Sequence, residues 1–239
     1  MKINRIKLFN FRNYENLDLK TNKNLNVFLG KNAQGKTNLL ESIYICGVGK
    51  SFRSVKDNDV ILWGKENSKI EIEIDKEIRK EKIEIYFQNK QKKTIKIDGI
   101  SVRRIGELLG ELPVVFFSPD ELKLIKESPD ERRKFMNIDI SQTNKNYFYL
   151  LGRYEKILGN RNKLLKNTKD IEVLKDCIDI WDRALVDTAE KIYNQRKIFI
   201  EQLNPFASMA HSYISNGKEN LRVEYKGFEF GKGNYKETL

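Results

Sequence analysis

Eight consecutive residues, Gly30-Lys31-Asn32-Ala33-Gln34-Gly35-Lys36-Thr37, fit the pattern G-x-x-x-x-G-K-[ST] and can together hold the phosphates of a nucleotide. In such a loop the backbone N–H groups converge on phosphate oxygens. The glycines at its ends permit the backbone angles and the close approach, and the following helix turns its positive end toward the same anion. Lys36 would reach the β- and γ-phosphates, and the Thr37 hydroxyl would ligate Mg²⁺. The ligand expected is ATP or a close relative, with its magnesium ion.

Hydrolysis asks for more than binding. A P-loop ATPase also needs a second apolar strand ending in an acidic residue for the metal, and a carboxylate to orient the attacking water. No run of apolar residues in this sequence ends convincingly that way. Leu112 to Phe117 runs into Ser118-Pro119, with Asp120 and Glu121 following, and Ile70 to Asp75 alternates. No catalytic residue is therefore assigned. Other chemistries are limited by inventory: His211 is the only histidine, and Cys46 and Cys177 stand far apart. Histidine metal clusters and Ser–His–Asp catalysis are excluded in practice, and the two thiols read as small hydrophobes.

The elements that must position the loop follow from periodicity. Ile3 to Leu8, Leu17 with Leu19, and Leu25 to Leu29 read as strands, the last ending at Gly30. From Lys36 the apolar spacing becomes helical, with Leu39, Leu40, Ile43 and Tyr44. Strand, loop and helix is the context a P-loop requires. Ile70, Ile72 and Ile74, then Ile83, Ile85 and Phe87, then Ile95 and Ile97 alternate strictly, and Asp98-Gly99 supplies a hairpin turn before Ile100 and Val102. That is an antiparallel sheet with one wet face. Leu112 to Phe117 is apolar on both faces and reads as a buried strand.

After Pro129 the strand signals stop. A helix is expected from about Asn146 to Lys166. A longer one carries Leu174, Ile178, Trp181, Leu185, Thr188, Ile192, Gln195, Phe199, Gln202 and Phe206 at alternating spacings of four and three. The two should form an antiparallel hairpin joined near Asn167-Thr168-Lys169-Asp170, either as a projecting arm or as a plain helical subdomain. Alternation returns from Asn220, with Leu221, Val223, Tyr225, Phe228 and Phe230.

Composition sets the class of partner. The net charge of +11, with 39% hydrophobic and 33% charged residues, describes a charge-covered globular chain with a preference for polyanions such as nucleic acid. No apolar run approaches the roughly 18–20 residues of a bilayer span, and Met1-Lys2-Ile3-Asn4-Arg5 is too charged for a signal peptide. The expectation is a cytoplasmic protein with no membrane contact.

Several ordered blocks resemble the RecF family of bacterial recombination and repair proteins. They are Phe11-Arg12-Asn13-Tyr14, the P-loop continuing through Thr37-Asn38-Leu39-Leu40-Glu41-Ser42-Ile43-Tyr44, and Gly49-Lys50-Ser51-Phe52-Arg53. Further on come Phe117-Ser118-Pro119-Asp120-Glu121-Leu122-Lys123-Leu124-Ile125-Lys126, Ser128-Pro129 and Arg132-Arg133-Lys134-Phe135. Members are ABC-type ATPases related to the SMC proteins. The resemblance implies an α/β fold: a P-loop NTPase head of ABC type, with a mixed sheet plus an antiparallel β lobe, and an inserted helical-hairpin subdomain. On that reading residues 1–129 form the N-terminal part of the head, 130–219 the helical arm, and 220–239 the start of the return to the head. It further implies ATP-dependent homodimerisation, binding to duplex DNA and to single-strand/double-strand junctions, and cooperation with RecR and RecO in loading RecA. A weak DNA-stimulated ATPase would belong to the full-length dimer, and this chain alone is expected to be inactive.

The sequence departs from the family pattern in three places. Asp120-Glu121 inverts the usual Glu-Asp. The basic block ends Lys134-Phe135-Met136-Asn137 where Arg-Phe-Leu-Asp is usual. The ABC signature and the acidic Walker B strand are expected beyond residue 239, since Ile214-Ser215-Asn216-Gly217-Lys218 reads better as a surface turn. By the same resemblance Arg12 belongs near the nucleotide phosphates or the dimer face, the alternative being a solvated arginine at a strand end. Lys50 and Arg53 are candidates for DNA or dimer contact, or plain surface charge. Arg132 and Arg133 are candidates for DNA contact, with Lys134, against the competing reading of ion pairs to Asp130 and Glu131. Lys90, Lys92 and Lys93 read as a solvated hairpin tip. Two other classes compete: a P-loop kinase or nucleotide transferase, which would need a lid of catalytic arginines, and an SMC-like structural DNA tether, which would need a longer coiled coil.

Overall fold

Rows of isoleucine organise the first part of the chain. The computed structural model describes residues 1–119, 123–126, 128–168 and 171–227. The chain divides into two compact units, Met1–Lys123 and Leu124–Leu239. In the first, strands β1 (Lys2–Phe11), β2 (Tyr14–Lys20), β3 (Asn67–Asp75), β4 (Lys80–Gln88), β5 (Thr94–Ile97) and β6 (Ile100–Val102) form one sheet in the order β2-β1-β3-β4-β5-β6. Every pair in it is antiparallel. The register sets Ile6 opposite Ile72, Ile70 opposite Ile85, and Ile72 opposite Ile83. These side chains share one face and are fully buried, so the period of two expected from the sequence is the face that makes the core.

The opposite face is wet, as the alternation required, and is laced with charge. Lys69 bonds Glu71 at 2.7 Å and Glu84 at 2.8 Å, and Lys7 bonds Glu71 at 2.9 Å. Burial works against the Glu84 carboxylate. The hydrogen bonds from Lys69 and Tyr86 and the charges of Lys69 and Lys82 nevertheless hold it down at about 2. The Asp98-Gly99 hairpin forms as expected, with φ of 51° and 79°, the pair of positive values that a type I′ turn demands.

Helix α1 (Lys36–Val48) packs on the core face and is buried nearly all round, through Leu39, Glu41, Ser42, Tyr44, Ile45, Cys46 and Gly47. Leu112 and Val114 press so close to it that a Cβ at Gly47 would lie 2.6 Å from the Leu112 carbonyl oxygen and from Val114. Two strands expected beside α1 are not formed. Leu25–Leu29 and Leu112–Phe117 lie outside the strands of the described sheet. The second is not buried on both faces either: Val115 is 90% and Phe117 is 79% exposed. An apolar run becomes a strand only where a neighbouring backbone completes its hydrogen bonds, and that neighbour is not fixed by local sequence. A 3₁₀ turn at Asp57–Val60 and the short helix α2 (Ile105–Leu108) complete the described elements of this unit before residue 120.

The second unit is helical. After the short α3 (Lys123–Lys126), α4 (Pro129–Thr143) starts with proline in its first turn, where its missing N–H costs nothing. Asn144 caps α5 (Lys145–Asn167) by accepting from the Tyr147 N–H at 3.3 Å. The long α6 (Ile171–Ile214) runs antiparallel to α5: Asn144 Nδ2 donates to Gln195 Oε1 at 3.1 Å, and Arg161 Nε to Asp182 Oδ1 at 2.5 Å. The first helix of the hairpin thus matches its expected bounds to within one residue. Thr168 follows α5, while Lys169 and Asp170 lie outside the described residues. Leu185, Thr188 and Ile192 of the seam are buried, but Phe206 at its end is exposed, because the repeat outruns α5, which begins level with Gln195. Residues 214–218 are the end of α6 and a turn, closed by the Gly217 N–H on Ser212 O at 2.8 Å. Residues 221–227 take no regular secondary structure and rest on α6, with Tyr225 against Tyr193 and Val223 N–H bonded to Asn204 at 3.0 Å, rather than paired as a strand. Phe228 and Phe230 lie outside the described residues.

Inside this unit Arg196 donates to the Tyr147 hydroxyl at 2.9 Å and to Asn137 Oδ1 at 2.9 Å, and reaches the Tyr225 hydroxyl at 3.4 Å. All three acceptors are neutral. Asn137 stands where the RecF pattern has aspartate, so the guanidinium is held by dipoles where a carboxylate would be usual.

Candidate nucleotide site

The loop from Gly30 to Gly35 hangs open between an extended segment and α1, and its residues up to Gln34 are exposed. Ala33 takes a φ of 65°, and Gly35, the residue before α1, a φ of 101°. A side chain at Gly35 would be strained and would also collide, since an added Cβ falls 2.7 Å from Asn13 Oδ1 and 2.8 Å from the Tyr14 hydroxyl. The β1–β2 turn therefore sits directly under the loop.

The first turn of α1 has no side-chain cap and no acidic residue. Its N–H groups and the positive end of the helix dipole are left for an anion. Lys36 Nζ donates to the carbonyl oxygens of Gly30 at 2.7 Å and Lys31 at 2.8 Å. The ammonium is thus parked at the loop mouth on weak neutral acceptors that a phosphate can outcompete. Thr37 is exposed one residue on. Among the described residues no group of three or more His, Cys, Asp or Glu gathers to hold a metal ion.

Behind the loop lies a constellation that sequence reasoning missed. Glu41 is completely buried in α1. Its carboxylate accepts from Arg12 Nε at 2.9 Å and Nη2 at 2.5 Å, and from the Ser51 hydroxyl at 2.5 Å, with Arg53 Nη1 at 3.9 Å. Arg12 also donates to Asp59 O and to Ser54 Oγ. It is not the solvated arginine of the simpler expectation but the fork that ties the β1–β2 turn to α1. Arg53 donates to Asn38 Oδ1 at 2.7 Å, and Asn38 in turn donates to Asn13 at 2.8 Å. Arg12, Asn13, Asn38, Glu41 and Arg53 form one connected network beside the phosphate cradle. The available signal was a carboxylate one helical turn before Tyr44 and Ile45 in a mostly apolar helix.

The other basic candidates separate. Lys50 is exposed on the loop after α1. Lys93 does not belong to a solvated tip: it bonds Asp57 at 2.8 Å and is mostly covered. In the second unit Arg133 pairs with Asp130, and Lys134 lies 3.6 Å from Glu131, both one helical turn apart. Arg132 donates to Leu124 O at 3.2 Å. The ion-pair reading holds for Arg133 and Lys134. Asp120 and Glu121 lie outside the described residues.

Comparison with known proteins agrees with this geometry. Residues 2–221 match the family described as the RecF/RecN/SMC N terminal domain. The chain is 41% identical over its whole length to the DNA replication and repair protein RecF of Clostridium perfringens (strain SM101 / Type A), covering 65% of that protein. It is 43% identical over 95% of its length to RecF of Alkaliphilus oremlandii (strain OhILAs), covering 61% of it. Among solved structures, that of the recombination mediator protein RecF-ATP superimposes with a TM-score of 0.88 at 33% identity, over 100% of this chain and 64% of that one. A RecF-ATPrS structure gives 0.83 at 34% identity, over 90% of this chain and 58% of that one. The chain spans about two thirds of the length of the relatives it matches. It belongs to the RecF/RecN/SMC N-terminal domain family, has that family's P-loop ABC-type α/β fold, and within the family is similar over its whole length to RecF.

Proposed function

We propose that the chain is the P-loop-bearing part of an ATP-dependent DNA replication and repair protein of the RecF kind. The observation that carries this reading is the Lys36 ammonium held on the Gly30 and Lys31 carbonyls at an uncapped helix end. It is supported by likeness over the full chain to a RecF solved with ATP. The triphosphate draws Lys36 off the loop carbonyls, and residues Gly30 to Lys36 wrap it with backbone N–H groups. Thr37 then ligates the Mg²⁺ that accompanies the nucleotide, which neutralises phosphate charge when bound.

On this reading residues 1–129 form the head portion, 130–219 the helical arm, and 220–239 the return to the head. Arg12 and Arg53, set in the network around Glu41, face the phosphates or a second head. ATP bridges two heads into a homodimer. DNA, duplex or at a single-strand/double-strand junction, lies across the joined basic surface near Lys50 and Arg53. RecR and RecO are the partners with which such a dimer assists RecA loading. The signature and acidic strand needed for turnover are not among the residues of this chain, so on its own it should hydrolyse almost no ATP.

The test is nucleotide affinity. Lys36→Ala removes a charge-assisted contact and should weaken binding of a fluorescent ATP analogue ten- to hundredfold without changing the melting temperature of the apo chain. Unchanged affinity would overturn the reading.

A further inference from the structure

The charge of the helical unit is unevenly distributed between its two long helices. Along α5 stand Lys145, Arg153, Lys156, Arg161, Lys163 and Lys166 against a single acid, Glu155. Along α6 five Lys or Arg residues face seven acids. On α6, Arg183 pairs with Asp179 at 3.2 Å and Lys191 with Asp187 at 2.8 Å. On α5, Arg161 is answered by Asp182 across the hairpin. Arg153, Lys156, Lys163 and Lys166 are exposed and have no carboxylate partner among the described residues.

These four lie on one side of the helix. At 100° per residue Arg153, Lys156, Lys163 and Lys166 fall within less than half the circumference, on the arc opposite the buried Tyr147. From the first to the last they extend about 20 Å along a straight axis. Between them, Gly152 and Gly159 are exposed, and a Cβ added at either would meet nothing within 4 Å. A helix interior bears two glycines at a cost in stability. Here they leave the floor between the lysines free of side chains, so a partner can approach the backbone closely. Only one aromatic, Tyr149, is exposed on this face.

We propose that this face of α5 binds the sugar–phosphate backbone of duplex DNA. The proposal rests on reading the chain as a DNA-binding protein and adds, to the contact near Lys50 and Arg53, a second one on a surface remote in sequence from the P-loop. Cations without carboxylate partners along one side of a helix complement a polyanion that carries one charge per ~1.7 Å of its axis. A single strand is held by rows of stacking aromatics, which this face does not offer. The contacts are to phosphate, so recognition is by charge and shape and is indifferent to sequence.

The test is fluorescence anisotropy of a short labelled duplex with the full chain over a range of salt concentrations. The variant is Lys156→Gln/Lys163→Gln/Lys166→Gln, whose residues all favour helix. Loss of three phosphate contacts should flatten the slope of log K against log salt by about 2.7 and weaken binding at 0.15 M salt roughly a hundredfold. Arg183→Gln/Lys191→Gln, which removes paired charge from α6, should leave both unchanged. ATP-analogue affinity should be equal in all three proteins. If the triple variant matches the wild type in affinity and slope, the surface assignment is wrong while the DNA-binding reading stands. If the wild type binds no duplex, both fall. Wild-type preference for a single strand that the triple variant loses would overturn the duplex as occupant.

Discussion

Glu41 is the residue on which the surroundings of the phosphate loop depend. A buried carboxylate is stable only when its lone pairs are filled, and here Arg12 and Ser51 fill them. Removing the acid strands the Arg12 guanidinium, which is itself mostly covered. Glu41→Ala should therefore cost about 3 kcal/mol, lowering the first unit's melting temperature by about 10 °C. Glu41→Gln keeps an acceptor for Arg12 and should lose about half as much. Circular dichroism melts of the three proteins decide it, and equal melting temperatures would show that the network contributes nothing. The P-loop itself was legible in the sequence because its residues are contiguous and the spacing is the mechanism. The network behind it was not, because Arg12, Glu41 and Ser51 meet only once strand, helix and loop have folded together.

At the scale of elements, the helical hairpin and the β3–β6 meander could be read from the sequence because each carries its own period over many residues. Leu25–Leu29 and Leu112–Phe117 could not, since the same apolar run serves as strand or as extended backbone according to which neighbour pairs with it. Nor did the seam of α6 announce which of its residues find a partner: Thr188 is fully buried with its hydroxyl returned to Ala184 O, while Phe206 lies in solvent. One polar residue of α4 works against its own element. Burial of Asp139, with no compensating cation, pushes its carboxyl from 3.8 up to about 6. Because the folded value is the higher one, the folded state holds this proton more tightly than the unfolded chain. The group is neutral to stability below about 4 and becomes a penalty as pH rises through about 6. Asp139→Asn should accordingly stabilise the helical unit by about 2 kcal/mol at pH 7.5 and by almost nothing at pH 3.5. Urea unfolding followed by the helical signal at both pH values tests this. An equal gain at each would mean the effect is not ionisation.

The whole molecule sets net charge against exposed apolar backbone. Leu25 is 75% and Leu29 is 89% exposed, and Val115 and Phe117 are likewise turned outward, on two extended segments of the same unit. Exposed apolar segments of this kind are templates for association with a second chain. The +11 charge of the chain opposes that association by mutual repulsion. The two terms respond differently to salt. Repulsion is long-range at low ionic strength, where the Debye length is about 30 Å at 0.01 M, and almost gone at 1 M, where it is about 3 Å. Apolar attraction does not weaken with sodium chloride. The isolated chain should therefore sediment as a monomer in dilute salt and as larger species at 1 M. Leu29→Lys/Phe117→Lys, which adds charge to both segments, should remain monomeric throughout, with unchanged circular dichroism. Association that is strongest in dilute salt and dissolves as salt is added would instead point to ionic contacts, such as those offered by the cations of α5, and would rule out the apolar segments as its cause.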